Sequence, residues 1–234
     1  GGGGAIFLTN RDSQLGRGES IADTSRVISR MVDIVMIRTH SHEAVEIFSK
    51  YSDVPVINGL TKALHPCQIL ADLVTYFEFK GSIKNKKVTW IGDGNNMCNS
   101  YIEAAQIMDF QLAIACPKGF EPCGIDANNC RFVENPYEAA EGADLVVTDV
   151  WASMGDESEK KDREKAFMKF QVNQRVMDRA NRDALFMHCL PAYRGLEVSE
   201  EVLEGNNSVV WHEAENRLHS QKALIEFLLN SSKR

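Results

Sequence analysis

The 234-residue sequence contains no uncharged apolar run approaching the roughly 18 residues that a membrane-spanning helix needs; its apolar stretches have the length of strands. Prolines number only six and no repetitive tract occurs apart from the opening glycines, which excludes collagen, disordered tails and coiled coils. Positive charge is not in excess either. Lys and Arg total 26 against 33 Asp and Glu, a net charge of -7, so the overall field repels phosphate backbones and a general nucleic-acid binder is not expected. The C-x2-C spacing of a zinc site is also missing. Cys116, Cys123 and Cys130 recur every seven residues without a His partner, and with Cys67, Cys98 and Cys189 they read as free thiols in a reduced compartment. Neither an initiator Met nor a signal or transit peptide precedes Gly1-Gly2-Gly3-Gly4. The sequence is therefore expected to begin partway through a domain of a cytoplasmic protein, unless an organellar signal has been lost upstream.

What is present is an alternation of short β-rich runs with helical stretches, the signature of right-handed βαβ units on parallel sheets. Strands are expected at residues 5–8, 33–38, 54–58, 87–91, 111–116, 131–133, 144–148, 184–187 and 208–211, with Gly59 breaking the third. Helices are expected at 19–31, at 42–51 with Ser41 as cap, at 65–80 with Gly81 as stop, at 96–108, after Asn135-Pro136, and at 215–229. A charged segment covers 158–170. The fold class is α/β, with two doubly wound parallel-sheet domains, the first incomplete at its N-terminus. Residues 1–80, including a linking helix at 65–80, form the first domain and 81–212 the second, with a C-terminal helix at 213–234 returning to the first.

Parallel sheets bind ligands beyond the carboxyl ends of their strands. Six expected strand ends carry uncommon polar residues, among them Arg38, the turn leading to His65-Pro66-Cys67-Gln68, Gly92-Asp93-Gly94-Asn95-Asn96, Asp149, His188-Cys189 and His212-Glu213. Arg38, His65 and Gln68 offer a permanent cation, a switchable imidazole and a neutral amide, a set suited to an oxyanion and a polarised carbonyl. Asp149 is placed to grip an ammonium group, and Cys189 is a candidate nucleophile or proton acceptor provided its thiol pKa is depressed. Plainer roles compete: a surface ion pair for Arg38, a helix cap for His65 or Asp149, inert packing for Cys189. Ser153-Met154-Gly155, ahead of the charged segment, reads as a loop with Gly155 as hinge. Gly92-Asp93-Gly94 suggests a dinucleotide fingerprint, but Met97 occupies the third glycine position and Cys116-Pro117-Lys118 stands where an acidic residue is needed. No nicotinamide cofactor is expected; backbone amides at that helix start are better suited to a substrate carboxylate or phosphate.

These residues resemble the ornithine carbamoyltransferases, a branch of the aspartate/ornithine carbamoyltransferase family. The resemblance rests on His65-Pro66-Cys67-Gln68, on Asp149-x-Trp151-x-Ser153-Met154-Gly155 and on His188-Cys189-Leu190-Pro191. It is supported by Gln14-Leu15-Gly16, Met36-Ile37-Arg38-Thr39, Ile91-Gly92-Asp93-Gly94-Asn95-Asn96 and Glu213-Ala214-Glu215-Asn216-Arg217. It implies a carbamoyl-phosphate domain and an ornithine domain joined by a long helix, assembled as a homotrimer and needing no cofactor or metal. By the same resemblance Arg38, His65, Pro66, Cys67 and Gln68 belong to the carbamoyl-phosphate site, and Gln14 to a position that reaches a neighbouring subunit. Asn96, Asp149, Ser153 and Met154 match positions that grip the α-carboxylate and α-amino group of ornithine. Cys189 and Leu190 fall between the two substrates and Arg217 beside the carbamoyl end.

The implied chemistry is attack by the neutral δ-amine of ornithine on the carbonyl carbon of carbamoyl phosphate, with phosphate as leaving group and Cys189 as proton acceptor or relay beside Asp149. Arg38, His65, Asp149 and Cys189 are accordingly expected around one cleft. The family's phosphate-gripping Ser-x-Arg-Thr-Arg loop has no counterpart here, since Thr24-Ser25-Arg26 lies in an expected helix, so little turnover is expected of the chain as given. The connection from Cys116 to Arg131 is short for the family, without expected chemical consequence. Three alternatives stay open: a carbamoyltransferase for putrescine or aspartate, a non-catalytic module that keeps amino-acid binding and trimer contacts, and a nicotinamide-dependent dehydrogenase.

Overall fold

Runs rich in Val, Ile, Leu and Trp form parallel sheets in this chain, and side-chain-capped segments form the helices between them. The computed structural model describes residues 3–8, 18–122, 129–152 and 160–231. They divide into two compact units, one made of Gly1–Cys67 with His219–Arg234, the other of Gln68–Leu218. The division falls one turn into the helix expected to link the domains, whereas the sequence places it near residue 80.

In the first unit, α1 (Ile21–Ile28), β1 (Val35–Arg38), α2 (His42–Tyr51) and β2 (Val56–Leu60) follow one another. Ser20 and Ser41 cap the two helices, their Oγ atoms each accepting a backbone N–H at 3.1 Å, from Asp23 and Ala44. β1 and β2 pair in parallel, and the pairing steps from Ile37 opposite Asn58 to Arg38 opposite Leu60. Gly59 is thus the extra residue of a bulge. The strand therefore runs through the glycine expected to end it, where a Cβ would lie 2.5 Å from the Sδ of the Met36 side chain and 3.2 Å from the Ile37 carbonyl oxygen. Residues 5–8, expected as a strand, pair with no strand among the described residues and are exposed. β-propensity expresses fit to a neighbouring strand, and none of the described strands lies alongside to supply it. Thr24-Ser25-Arg26 does lie within α1, where Ser25 Oγ donates to the Phe48 carbonyl at 2.6 Å.

The second unit carries a five-stranded parallel sheet. Its strands are β3 (Lys87–Ile91), β4 (Gln111–Ala115), β5 (Cys130–Phe132), β6 (Leu145–Thr148) and β7 (Leu185–His188), in the order β5-β4-β3-β6-β7. Alternate residues of each strand serve opposite faces. Val88, Trp90, Leu112, Ile114, Leu145, Val147, Leu185 and Met187 join one buried cluster with residues of α3 (Pro66–Lys80) and α4 (Asn96–Met108). Ile91, Ala113, Ala115, Val146 and Phe186 join another with residues of α5 (Pro136–Ala139), α6 (Lys160–Phe167), α7 (Gln174–Met177) and α8 (Glu200–Leu203). Helices thus cover both faces, as the near-continuous apolar strands require.

Helix α3 opens on Pro66, whose missing N–H costs nothing there, and stops at Gly81, φ +75°, whose N–H bonds the Phe77 carbonyl at 2.8 Å. The final helix, α9 (Val210–Ser231), starts earlier than expected and absorbs the second half of the strand expected at 208–211; Ser208 makes an isolated bridge, to Phe186. A short apolar run looks the same at a buried helix start as in a strand. The correction matters, because His212 to Arg217 then lie along a helix rather than beyond a strand end. No helix among the described residues is long and apolar enough to cross a membrane.

Candidate functional site

The order of the second sheet reverses between β3 and β6, so the crevice beyond their carboxyl ends is the place where an open α/β sheet holds ligands. Three chain segments meet there. After β3 the loop turns through Gly92, φ +138°, and Gly94, where a Cβ would lie 2.2–2.5 Å from the backbone of Phe120, Glu121 and Pro122. Both glycines of the dinucleotide-like pattern thus serve the path of this loop, and Met97 at the third position is buried core. The loop delivers Asn95 to the start of α4. Its Oδ1 accepts the N–H groups of Met97 and Cys98 at 3.0 and 3.2 Å, and its Nδ2 donates to Asp149 Oδ2 at 2.8 Å. One residue both caps the helix and holds the carboxylate beyond β6.

Asp149 is buried, and its other oxygen accepts the Val150 N–H at 2.7 Å and the Cys189 thiol at 3.1 Å. Burial pushes the Cys189 thiol well above its ordinary value, and the carboxylates of Asp149 and Glu213 push it further. At neutral pH Cys189 is therefore a neutral S–H donor, where a nucleophile would require a depressed thiol. Beneath it the backbone is firmly set. His188 Nδ1 accepts the Leu190 N–H at 2.9 Å, leaving Nε2–H to donate to Glu197 at 3.1 Å, with His188 and Glu197 both fully buried. Leu190 is held at φ +54° before a cis bond to Pro191. A leucine in the left-handed region persists only where its surroundings impose it, and such residues collect at functional sites.

A second polar cluster lies in the same unit. Gln68, almost fully buried, uses both amide hydrogens: Nε2 donates to Asp72 Oδ1 and to Glu213 Oε1, each at 2.9 Å. Its carbonyl Oε1 accepts from Arg217 at 2.5 Å. Glu213 Oε2 accepts the backbone N–H of His188 at 2.9 Å, and Tyr101 donates to Asp72 at 2.8 Å. Burial raises both acids: Asp72 is pushed up to about 6, and Glu213 well above the usual carboxylate range, by desolvation and then by the charge of Asp72. The two acids are coupled, so their titration belongs to the pair rather than to either residue.

Other site residues expected from sequence fall as follows. Arg38 ends β1 with its side chain exposed, His65 is buried just ahead of α3, Pro66 is the first residue of that helix, and Cys67 donates its S–H to the Asn58 carbonyl at 3.4 Å, all in the first unit. In the second unit Asn96 opens α4 and Arg217 is half-buried on α9. Gln14 and Ser153-Met154-Gly155 lie outside the described residues, as does Cys123. Sequence reasoning does not single out Asn95, Asp72, Tyr101, Glu197 or the role of Glu213. A signal for two of them exists, since Asp72 follows Gln68 and Arg217 follows Glu213 by four residues, one turn along the same helix face. Atoms of Asp149, His188 and Cys189 lie within 4.8 Å of one another, a spacing suited to a metal ion, but the bonds above already engage each of them within the protein. Asp149 and Cys189 bond to each other, while the His188 ring is taken up by Leu190 and Glu197.

Comparison with known proteins decides what this arrangement belongs to. Residues 1–78 match the carbamoyl-P binding domain, and residues 84–228 the Asp/Orn binding domain, of aspartate/ornithine carbamoyltransferase. The chain belongs to the aspartate/ornithine carbamoyltransferase family. Among its relatives, the ornithine carbamoyltransferase of Acinetobacter baumannii strain AYE is 63% identical, over 99% of this chain and 77% of that protein. The crystal structure of ornithine carbamoyltransferase from Burkholderia thailandensis E264 matches with a TM-score of 0.87 at 50% identity, over 97% of this chain and 76% of that one. The structure of the Pyrococcus furiosus protein matches with a TM-score of 0.90 at 46% identity, over 98% and 77%. The carbamoyltransferase fold thus accounts for both sheets, and its amino-acid-binding domain contains the crevice at β3 and β6.

Proposed function

We propose that this protein transfers the carbamoyl group of carbamoyl phosphate to the δ-amino group of L-ornithine, giving L-citrulline and phosphate. The names of its relatives and both matched family domains support the reading. The observation that carries it within the chain is the Asn95, Asp149 and Cys189 arrangement at the switch point of the amino-acid-binding domain, a fixed carboxylate beside a neutral thiol. The neutral thiol selects one of the two roles considered for Cys189. Sγ cannot take a proton outright while it keeps its own, but it can receive one from the δ-ammonium group as its S–H passes to Asp149, a relay across 3.1 Å. The freed amine then attacks the carbonyl carbon, the C–N bond forms, the C–O bond to phosphate breaks, and the amine's second proton leaves with the phosphate.

Arg38 and His65 are assigned to carbamoyl phosphate and to the oxyanion of the tetrahedral intermediate, where one such donor is worth roughly 3 kcal/mol. Asn96, Asp149, Ser153 and Met154 are assigned to the α-amino-acid group of ornithine, and assembly as a homotrimer in arginine metabolism completes the proposal. Its test is phosphate release and N-carbamoyl product formation by the intact protein with ornithine, putrescine and aspartate compared as acceptors. Ornithine is expected to exceed both by about a hundredfold or more in kcat/KM, because putrescine leaves a site built for a carboxylate with unpaired polar groups and aspartate has no side-chain amine to attack. A larger kcat/KM for putrescine or aspartate would overturn the choice of acceptor, and absence of turnover with all three would overturn the activity.

A further inference from the structure

Glu213 has no role in the reaction as written, yet it is fully buried and both its carboxyl oxygens accept hydrogen bonds from chemically important neighbours. Oε1 takes an N–H of the Gln68 amide, and Oε2 takes the backbone N–H of His188, the residue before Cys189. Asp72 takes the second N–H of the same amide. With both hydrogens of Nε2 pointed at carboxyl groups, the amide of Gln68 has one allowed orientation, its carbonyl Oε1 toward Arg217.

We propose that Glu213, assisted by Asp72, is a positioning residue for carbamoyl transfer: it fixes the Gln68 carbonyl as the acceptor presented beside Arg217 and ties it to the backbone that carries Cys189. The proposal rests on the carbamoyltransferase reading above. Its physical content is that position 213 requires two acceptors. A glutamine of the same shape offers one acceptor and one donor, so it must either face its NH2 to the His188 N–H or face it to the Gln68 NH2 and turn that amide over. Either arrangement sets donor against donor. A turned amide would present NH2 to Arg217 and lose that hydrogen bond. The charged and titratable groups around Glu213 are Asp72 on α3, Tyr101 on α4, Cys189 after β7 with Asp149 beyond it, and Arg217 on α9. Burial raises both Asp72 and Glu213, which disfavours two full negative charges in this cluster.

The test is a double-mutant cycle in the intact enzyme with Glu213→Gln and Gln68→Ala, read as kcat and KM for carbamoyl phosphate. Wild-type turnover with ornithine is established first, so that failure of the functional reading is seen separately. Glu213→Gln is expected to lower kcat/KM about ten- to a hundredfold in the wild-type background and less than about threefold when Gln68 is already absent. Equal losses in both backgrounds, or wild-type kinetics for Glu213→Gln, would overturn the proposal. If the glutamine variant does not fold, Glu213→Asp, whose two oxygens sit on a stem one carbon too short to reach both donors, is put through the same cycle, and the same pair of results supports or overturns the proposal. Selective 15N-glutamine labelling of the wild-type protein adds a readout independent of any variant. A Gln68 side-chain amide exchanging as fast as those of exposed glutamines would sink the idea, and a slowly exchanging pair of resonances is expected.

Discussion

Single residues in this protein act through what surrounds them. Cys189 illustrates it: the same thiol that looks like a nucleophile in sequence is an S–H donor here, because burial and the Asp149 carboxylate oppose its ionisation. Asp149→Asn removes the nearest negative charge, and the thiolate fraction of Cys189 should rise by about tenfold for each pKa unit recovered. Alkylation by iodoacetamide, followed on the Cys189 peptide by mass spectrometry, is expected to be about tenfold faster in the variant near pH 8. An unchanged rate would mean that Asp149 does not govern the thiol. The acids Asp72 and Glu213 give a second expectation. Asp72 titrates near 3.8 in the unfolded chain and about 6 when folded, so between those values the folded state holds a proton that the unfolded state has lost. Its contribution to stability is therefore full below pH 3.8 and lost as pH rises through about 6, and Glu213, also raised, acts in the same direction. Urea midpoints at about pH 5 and about pH 7 should show Asp72→Asn gaining, relative to wild type, at the higher pH. The reverse ranking would show that Asp72 is ionised in the folded protein well below pH 6.

At the scale of elements, loops and helix starts hold the site, and glycine makes one of them feasible. Gly94 gives its N–H to the Phe120 carbonyl at 2.9 Å, and the backbone of residues 120–122 occupies the space a side chain would need. Because the obstacle is backbone, Gly94→Ala cannot be relieved by a rotamer change, and a loss of about 1–3 kcal/mol is expected from chemical denaturation. Ornithine binding should weaken with it, since the same loop delivers Asn95 to Asp149; a variant with unchanged stability would contradict this packing. α6 is anchored at the same loop by Arg163, which pairs with Asp93, donates to the Trp151 carbonyl at 2.6 Å and lies over the rings of Phe120 and Phe167. Most elements were legible in the sequence. Helix caps such as Ser41, Asn135 and Gly81 and the runs forming β3 and β4 act within a few residues, so local chemistry defines them. Among the misses, a strand at residues 5–8 and another at 208–211 are apolar runs whose state depends on whether a neighbouring strand lies alongside, and the four-residue helices α7 and α8 are too short to show a helical period.

For the molecule as a whole, the α/β class and the placing of polar residues beyond strand ends followed from sequence, because alternation of strands and helices restricts the topology to a few arrangements. The motifs around His65, Asp149 and Cys189 pointed to the carbamoyltransferase family before any coordinates. Their interior partners did not show themselves. Gln68 meets Glu213 across 145 positions of chain and Arg217 across 149, and Cys189 meets Asp149 across 40. No local rule reports such pairings, since they arise only when the sheet order brings β3, β6 and β7 side by side and lays α9 along α3. The amino-acid sequence by itself determined the periodicities, caps and chemical types on offer. Tertiary structure alone decided the upward shifts of Cys189, Asp72 and Glu213 and the direction of the Gln68 amide, because desolvation and buried charge exist only after folding has removed water from around them.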